Sequence, residues 1–392
     1  MSVLFRLRRC YSSATFILSP NSSSPLTSKQ KSRTALRLLK SETNPERILD
    51  ICRAASLCPD FHLDRRAFFL AVSKLSAAHH FAGIRLFLDD LKSRPYLRHN
   101  ERFLSHAIVL YGQANMLDDA IRTFTDDLPP PLSVKALNSL LFAAILAKNY
   151  KEVSRIYLQF PKAYSIQPNV DTYNTVIRAF AASGSSDSVY SVFAEMDRNS
   201  VRPNVTTLNN AIFGFYREEK FEDVGKVMKL MEDKYRVLPA LSTYNVRIMS
   251  LCRLKRSSEA KALMEGMIDS GRKPDSVTYT SLIHGFSKEG HLDEAKRLFR
   301  DMKRRGFLPE GECYFTLVHF LCQGGEFESA LEVAKECMEK SWYPNFTTMK
   351  SLVNGLAGLS KVDVAKELIK QIKEKFPENG EKWDQIEAGL SQ

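Results

Sequence analysis

The chain has 392 residues, 44% of them hydrophobic and 26% charged, and no apolar run approaches the roughly 18 residues that a spanning helix needs, so no membrane span is expected. The formal net charge is +11, but Arg6, Arg8, Arg9, Lys29, Lys31, Arg33, Arg37 and Lys40 account for eight of it without one acid in residues 1–40, leaving +3 for residues 41–392. A surface that coats polyanions all over is thereby excluded, and any nucleic-acid contact must come from a local stripe of charge.

The N-terminus reads as an address. "MSVLFRLRRCYSSATFILSPNSSSPLTSKQKSR" is rich in Arg and Ser and places Val3, Leu4 and Leu7 on one helical face with Arg6 and Arg9 on another, the pattern of an organellar transit peptide. Arg9-Cys10-Tyr11 before Ser12 resembles a matrix-protease cleavage site. Residues 1–30 are therefore expected to be a mitochondrial transit peptide that is removed, with the mitochondrial matrix as destination and the chloroplast as the lesser alternative. A secretory signal fits less well, because the apolar run is short and broken by arginines. Residues 31–63, with "TALRLLK" and "ERILDICRAA", read as an N-terminal helical cap.

From Asp64 onward the chain repeats itself. The early copies are weak: "GIRLFLDDL" ends one that starts near Asp64, "DDAIRTFTDDLP" ends one that starts near Glu101, and "SVKALNSLLFAAI" starts one near Val134. The later ones are punctuated by Pro168-Asn169, Pro203-Asn204, Pro239-Ala240, Pro274-Asp275, Pro309-Glu310 and Pro344-Asn345, at spacings of 35, 36, 35, 35 and 35. After each comes a helix start, such as "VDTYNTVIRAF", "LSTYNVRIMSL" or "SVTYTSLIHGF", and then a second helical core, such as "SVYSVFAEM" or "EAKRLFRDM". In the copy from Pro274 to Glu310, Tyr279, Leu282, Ile283 and Phe286 form one amphipathic stripe and Leu292, Ala295, Leu298, Phe299 and Met302 a second. Gly290 and Gly306 stand where those helices should stop.

Each copy is thus a helical hairpin, and about nine are expected over residues 64–379, followed by a tail over 380–392 that carries Trp383. One hairpin cannot bury its own apolar face. Ordering it costs about 1–2 kcal/mol per residue, so the hairpins must stack into an α-solenoid in which each touches only its neighbours. Rotation between units would curl the stack into a superhelix whose inner surface is lined by the first helices, and function is expected there.

The segments "VDTYNTVIRAF…SVFAEMDRNSVRPN" and "VTYTSLIHGFSKEGHLDEAKRLFRDMKRRGFLPE" resemble pentatricopeptide repeats of the plain 35-residue type. Tetratricopeptide repeats are set aside by their 34-residue period and W-x-x-L-G-x-x-Y signature, which is absent here. The resemblance implies an all-α, right-handed superhelix of helix-turn-helix hairpins in which each hairpin can read one RNA base. It assigns the reading to the fifth and last residues of a unit: Asn138 with Asn169, Asn174 with Asn204, Asn209 with Ala240, Asn245 with Asp275, Thr280 with Glu310, Phe315 with Asn345, and Lys350 with Asn379. The Asn/Asn units would take pyrimidines and the Asn/Asp unit uridine, while Arg217, Arg253 and Lys288 hold the place of the family's phosphate contact. An Asn amide carries donors and an acceptor that suit a pyrimidine edge; the plain alternative is an Asn that caps a helix or bonds the backbone.

The sequence departs from the family at position two, where the base-clamping aliphatic residue is replaced by Lys135, Asp171, Thr206, Ser242, Glu312 and Thr347, leaving Val277 as the good match. Stacking is worth on the order of 1–3 kcal/mol per base, so lost clamps weaken the reading of a single strand. Phe68, Ser105, Phe315 and Lys350 lie outside the code. Two readings follow: a structural component of the mitochondrial ribosome that contacts rRNA and ribosomal proteins, similar to short members of the family in plant mitochondrial ribosomes, and a sequence-specific factor for single-stranded mitochondrial transcripts. No nucleotide-binding, hydrolase or metalloenzyme motif appears, so no catalysis, cofactor, metal or small-molecule substrate is expected. Cys10, Cys52, Cys58, Cys252, Cys313, Cys322 and Cys337 lack metal-site spacing and read as core hydrophobes. The acid pairs Asp89-Asp90 and Asp126-Asp127 read as solvated charge at helix ends.

Overall fold

The computed structural model describes residues 27–56, 65–376 and 380–390; the transit segment up to residue 26, Cys58, Asp64 and Asn379 lie outside them. All regular structure among the described residues is helical. It divides into two compact units, Met1–Pro203 and Asn204–Gln392.

The first unit holds α1 (Ser28–Ser41), α2 (Pro45–Ser56), α3 (Arg65–Ala77), α4 (Phe81–Ser93), α5 (Glu101–Gln113), α6 (Leu117–Arg122, continued by a π turn over Thr123–Asp127), α7 (Val134–Leu146), α8 (Tyr150–Ala163), α9 (Val170–Ser183) and α10 (Ser188–Arg198). The second holds α11 (Val205–Arg217), α12 (Phe221–Lys229, continued by a π turn over Leu230–Lys234), α13 (Leu241–Arg253), α14 (Ser257–Asp269), α15 (Ser276–Lys288), α16 (Leu292–Arg304), α17 (Gly311–Gln323), α18 (Phe327–Glu339), α19 (Phe346–Gly358), α20 (Val362–Lys375) and α21 (Gly380–Gly389). Within each unit, odd-numbered helices up to α19 pack on the next odd-numbered helix and on the even-numbered helix of their own hairpin, while α21 packs on α20.

The stripes read from sequence are the ones that are buried. Tyr279, Leu282 and Ile283 are fully enclosed, as are their counterparts Tyr314, Leu317 and Val318 one repeat on, and Ala295 and Met302 close the hairpin from the second helix. Burial of each such side chain contributes about 1.5–3 kcal/mol. Tyr279 also donates its hydroxyl to Asp301 Oδ2 at 2.7 Å, and Tyr314 donates to Glu336 Oε1 at 2.7 Å, so the two arms of each hairpin share a buried polar tie. Burial works to raise Asp301, and the hydrogen bonds from Tyr279 and Arg305 outweigh it and hold the carboxyl below its usual range.

Turns between helices pass through the left-handed region. Gly290 takes φ 82° ahead of α16 and Gly306 φ 84° after it, yet Lys255, Glu219 and Ser360 hold the same turn position at φ 59°, 57° and 62°. The geometry therefore belongs to the position rather than to glycine, and the non-glycine turns carry the cost of roughly 1–2 kcal/mol that a left-handed residue incurs. The unit between Pro203 and Pro239 has one residue more than its neighbours. Its second helix widens into the π turn at Leu230–Lys234, where Tyr235 N–H reaches back five residues to Leu230 O at 3.0 Å. A single π turn takes up one inserted residue without breaking a helix.

Ion pairs link neighbouring second helices: Lys261 to Glu294 at 3.0 Å, Lys296 to Glu326 at 2.5 Å, Lys303 to Glu336 at 2.7 Å, and Lys361 to Glu328. These pairs are partly exposed, so each contributes only about 0–1 kcal/mol, and apolar burial carries the stack. In the first unit Lys92 lies 2.9 Å from both Asp89 and Asp127, and Arg94 pairs with Asp90 at 2.9 Å. These acids are therefore not merely solvated helix-end charge, because the bridging lysine sits one repeat away from Asp127 in sequence. The C-terminal α21 offers Trp383 at the place where a first helix carries its core tyrosine; the ring is fully buried, 4.9 Å from Phe346.

Where first helices approach most closely, side chains have no room. A Cβ on Gly112 of α5 would come within 2.4 Å of the Ala143 Cα of α7, whereas Gly266 of α14 faces open space. Gly112→Ala is expected to destabilise by roughly 1–3 kcal/mol through overpacking against backbone, and Gly266→Ala to stabilise by roughly 0.5–1 kcal/mol, both read from urea unfolding midpoints. Asp119 accepts two hydrogen bonds from Arg85, at 2.9 and 2.7 Å, and this contact holds its carboxyl below the ordinary 3.8. A carboxyl lowered in the folded state adds stability above its ordinary value and loses it as pH falls through the folded one. Thermal melts carried downward from about pH 5 should fall less steeply in Asp119→Asn than in the unaltered protein.

Candidate nucleic-acid interface

The loop before several first helices ends in a side chain that caps the helix, whereas Ala240 before α13 and Glu310 before α17 provide no such cap. At α9, Thr172 N–H donates to Asn169 Oδ1 at 3.0 Å and Asn169 N–H donates to Thr172 Oγ1 at 3.2 Å. The same reciprocal box recurs at α11 between Asn204 and Thr207, at 2.9 and 3.1 Å, and at α15 between Asp275 and Thr278, at 2.9 and 3.2 Å. At α19, Thr348 N–H donates to Asn345 Oδ1 at 2.8 Å. Such caps satisfy helix-end donors that would otherwise be orphaned and contribute about 1 kcal/mol each. Asn169, Asn204 and Asn345 thus cap their helices, as the plain alternative for an Asn has it, and Asp275 does the same.

Capping is half of the arrangement. Thr172 also donates its hydroxyl to Asn138 Oδ1 in the preceding hairpin at 2.6 Å, while Asn138 Nδ2 donates to Asn169 Oδ1 at 3.2 Å. Thr278 repeats this with Asn245 Oδ1 at 2.6 Å, and Asn245 Nδ2 donates to Asp275 Oδ1 and Oδ2 at 3.1 and 3.2 Å. In both places the fifth residue of one unit, its last residue and the buried threonine of the next helix close a ring. The ring fixes which way the amide points, with its oxygen toward the threonine and its nitrogen toward the cap. Each amide keeps one N–H and one oxygen lone pair for an outside partner, the donor and acceptor that a pyrimidine edge requires.

Two of the other expected pairs fall short of this, Asn209 with Ala240 and Thr280 with Glu310. Asn209 is 8% exposed and donates to Ser242 Oγ at 3.2 Å, but its Oδ1 has no partner and Ala240 supplies no side chain. Asn174 is half-buried on α9, and Asn204, which caps α11, belongs to the other unit. Beyond Thr280 the ring cannot form, since Cys313 stands where the threonine would be and Glu310 makes no side-chain cap. Burial pushes the Cys313 thiol up to about 12, as it does that of Cys52, and both are inert core groups. The Thr348 hydroxyl meets His319 Nδ1 at 3.4 Å, while Phe315 packs over Gly311.

Arg217, Arg253 and Lys288 occupy the last turns of α11, α13 and α15, all exposed and all in the same phase. Arg217 and Arg253 line a cavity of about 330 Å³ with Phe213, Tyr216, Ser250 and Leu254, and the Arg253 guanidinium lies 5.7 Å from the centre of the Phe213 ring. Cations at these helix ends also complement the helix dipole. At position two, Val277 is 55% exposed, an apolar side chain left open on the same face.

The threonines themselves were not singled out from sequence, although the signal was present. Thr172, Thr207, Thr243, Thr278 and Thr348 recur at the third residue of their helices, and all are buried. Thr278→Val keeps the shape but strands the Asp275 N–H and frees the Asn245 amide; it should cost about 1–3 kcal/mol in urea unfolding, whereas exposed Thr206→Val should stay within about 0.5 kcal/mol of the unaltered protein.

Comparison with known proteins places this geometry. The PPR repeat family model matches residues 168–217, 239–288 and 274–323, and the pentatricopeptide repeat domain model matches 131–183. A mitochondrial pentatricopeptide repeat-containing protein of Arabidopsis thaliana is 49% identical over 245 residues, covering 59% of this chain and 60% of that protein. The small ribosomal subunit protein mL103 (rPPR7) of Arabidopsis thaliana is 28% identical over 295 residues, covering 74% of this chain and 70% of its own. The solved structure of the pentatricopeptide repeat protein PPR10 from maize superposes with a TM-score of 0.54 at 20% identity, over 92% of this chain and 54% of that one, and shares its fold. This chain therefore spans about 60% of the first relative's length. The mitochondrial address expected at the N-terminus agrees with the name of the first of these relatives. With hairpins, caps and period all in agreement, residues 131–217 and 239–323 are pentatricopeptide repeats.

Proposed function

We propose that the chain is an RNA-binding repeat scaffold of mitochondrial gene expression, and that it serves as a structural part of the mitochondrial ribosome in contact with rRNA and ribosomal proteins. It acts by binding and not by catalysis. Asn138, Asn169, Asn174, Asn204, Asn209, Asn245, Asp275 and Thr280 would meet bases, and Arg217, Arg253 and Lys288 phosphates.

The observation that carries this reading is the unevenness of the polar rings. Rings close at Asn138 and at Asn245, while the amide at Asn209 is left with an orphaned oxygen and Glu310, the partner of Thr280, makes no side-chain cap. A face whose amides are fixed at some repeats and not at others suits holding a folded RNA at scattered points better than reading a long single strand. Likeness to mL103 and, at 29% identity over 199 residues, to the small ribosomal subunit protein mS78 (rPPR3a) of Arabidopsis thaliana supports the ribosomal role.

A second reading, a sequence-specific factor for single-stranded transcripts, is favoured by the two closed rings, whose amides are already aimed and would lose little entropy on binding. Sedimentation of mitochondrial extracts separates the two. As a scaffold, the protein should migrate with ribosomal particles and stay there after nuclease removal of messenger RNA; migration only in light fractions would overturn that role and leave the transcript factor. Sequencing of RNA crosslinked to the protein in the organelle should then return ribosomal fragments.

A further inference from the structure

The hairpin that starts at α13 breaks the core pattern at one residue. At the seventh position of the first helix, where the neighbouring helices bury Ala211, Leu282, Leu317 and Leu352, α13 carries Arg247. Its side chain is half-buried, and among the described residues its guanidinium forms no ion pair; Nε donates to the Tyr216 hydroxyl at 3.3 Å. It opens into a cavity of about 460 Å³ between the hairpins α11–α12 and α13–α14, walled by Val224, Met228, Leu251 and Leu263. A cation placed there without a carboxylate is costly unless something supplies the countercharge.

Other charges at the cavity cancel. Arg256 donates through Nε and Nη2 to the two carboxylate oxygens of Glu259, at 2.5 and 2.6 Å, which leaves Arg247 as the uncompensated charge. The aromatic rings do not invite a base. Arg256 covers one face of the Phe221 ring at 4.3 Å, and Tyr216, T-shaped to Phe221 at 6.1 Å, is 4% exposed. An apolar floor, one half-buried positive charge and a rim with Phe221 39% exposed make the layout of an anchor pocket at a protein–protein contact.

We infer that this cavity binds a segment of a protein partner that inserts an acidic side chain, flanked by aliphatic residues, against Arg247. The inference stands apart from the RNA reading, since it uses none of the proposed base or phosphate contacts. Gly225 lines the cavity, and a Cβ there would meet nothing within 4 Å, so it can carry a probe. The full chain with a benzophenone side chain at position 225 is irradiated in isolated mitochondria, with and without ribonuclease, and the adduct is sequenced.

The expected adduct is a peptide holding Asp or Glu beside aliphatic residues, insensitive to ribonuclease, retained by Arg247→Lys and reduced about tenfold or more by Arg247→Glu. Arg247→Leu restores the aliphatic core position, so it should melt at a higher temperature and still lose the adduct. An adduct undiminished in Arg247→Leu or Arg247→Glu would overturn the inference, as would an RNA adduct, a peptide without an acid, or no adduct at all.

Discussion

A single buried hydroxyl joins successive repeats. Thr172 and Thr278 sit at the start of one hairpin, accept the N–H of the residue that caps it, and give their own proton to an asparagine in the hairpin before. Helix capping, repeat stacking and the aim of the recognition amide are therefore one hydrogen-bonded unit. None of the three can be altered without disturbing the others, because a buried hydroxyl or N–H left unmatched costs more than a made bond returns.

That coupling explains why a surface of short polar side chains can be rigid. An exposed asparagine samples several rotamers, but an amide held at both ends is oriented before any ligand arrives, which lowers the entropy lost on binding. The scaffold behind it gains its stability from apolar stripes that only a neighbouring hairpin covers, and the lysine–glutamate pairs along the second helices add little. Where Cys313 takes the threonine's place, the packing survives while the polar ring does not. Stacking and reading are separable at that repeat.

The repeat period, the hairpin arms and the capping residues were legible in the sequence because each rests on local chemistry: amphipathic spacing, proline punctuation, and Asn or Asp at a helix start. What remained hidden depends on residues one period away. Asn138 and Asn245 stand in similar sequence to Asn209, but Asn209 faces Ala240 and keeps an orphaned oxygen. Arg247 lies inside a stretch that otherwise reads as an ordinary first helix, and only its neighbours Ala211 and Leu282 reveal that it fills a core position. Asp127 reads as helix-end charge in the sequence, and its partner Lys92 comes from the preceding hairpin. The left-handed turns at Lys255 and Glu219 carry no glycine to announce them, since the hairpin dictates that conformation from both sides.

The widened turn at Leu230–Lys234 has a bearing on how such arrays change over time. An added residue would rotate every following side chain of a regular helix by about 100° and carry the next recognition residues off their face. Confined to one loosened coil at the back of the hairpin, it is spent before α13 begins, and Thr243 and Asn245 keep the third and fifth places of their helix. The rear of the array can thus drift in length while the front stays in register.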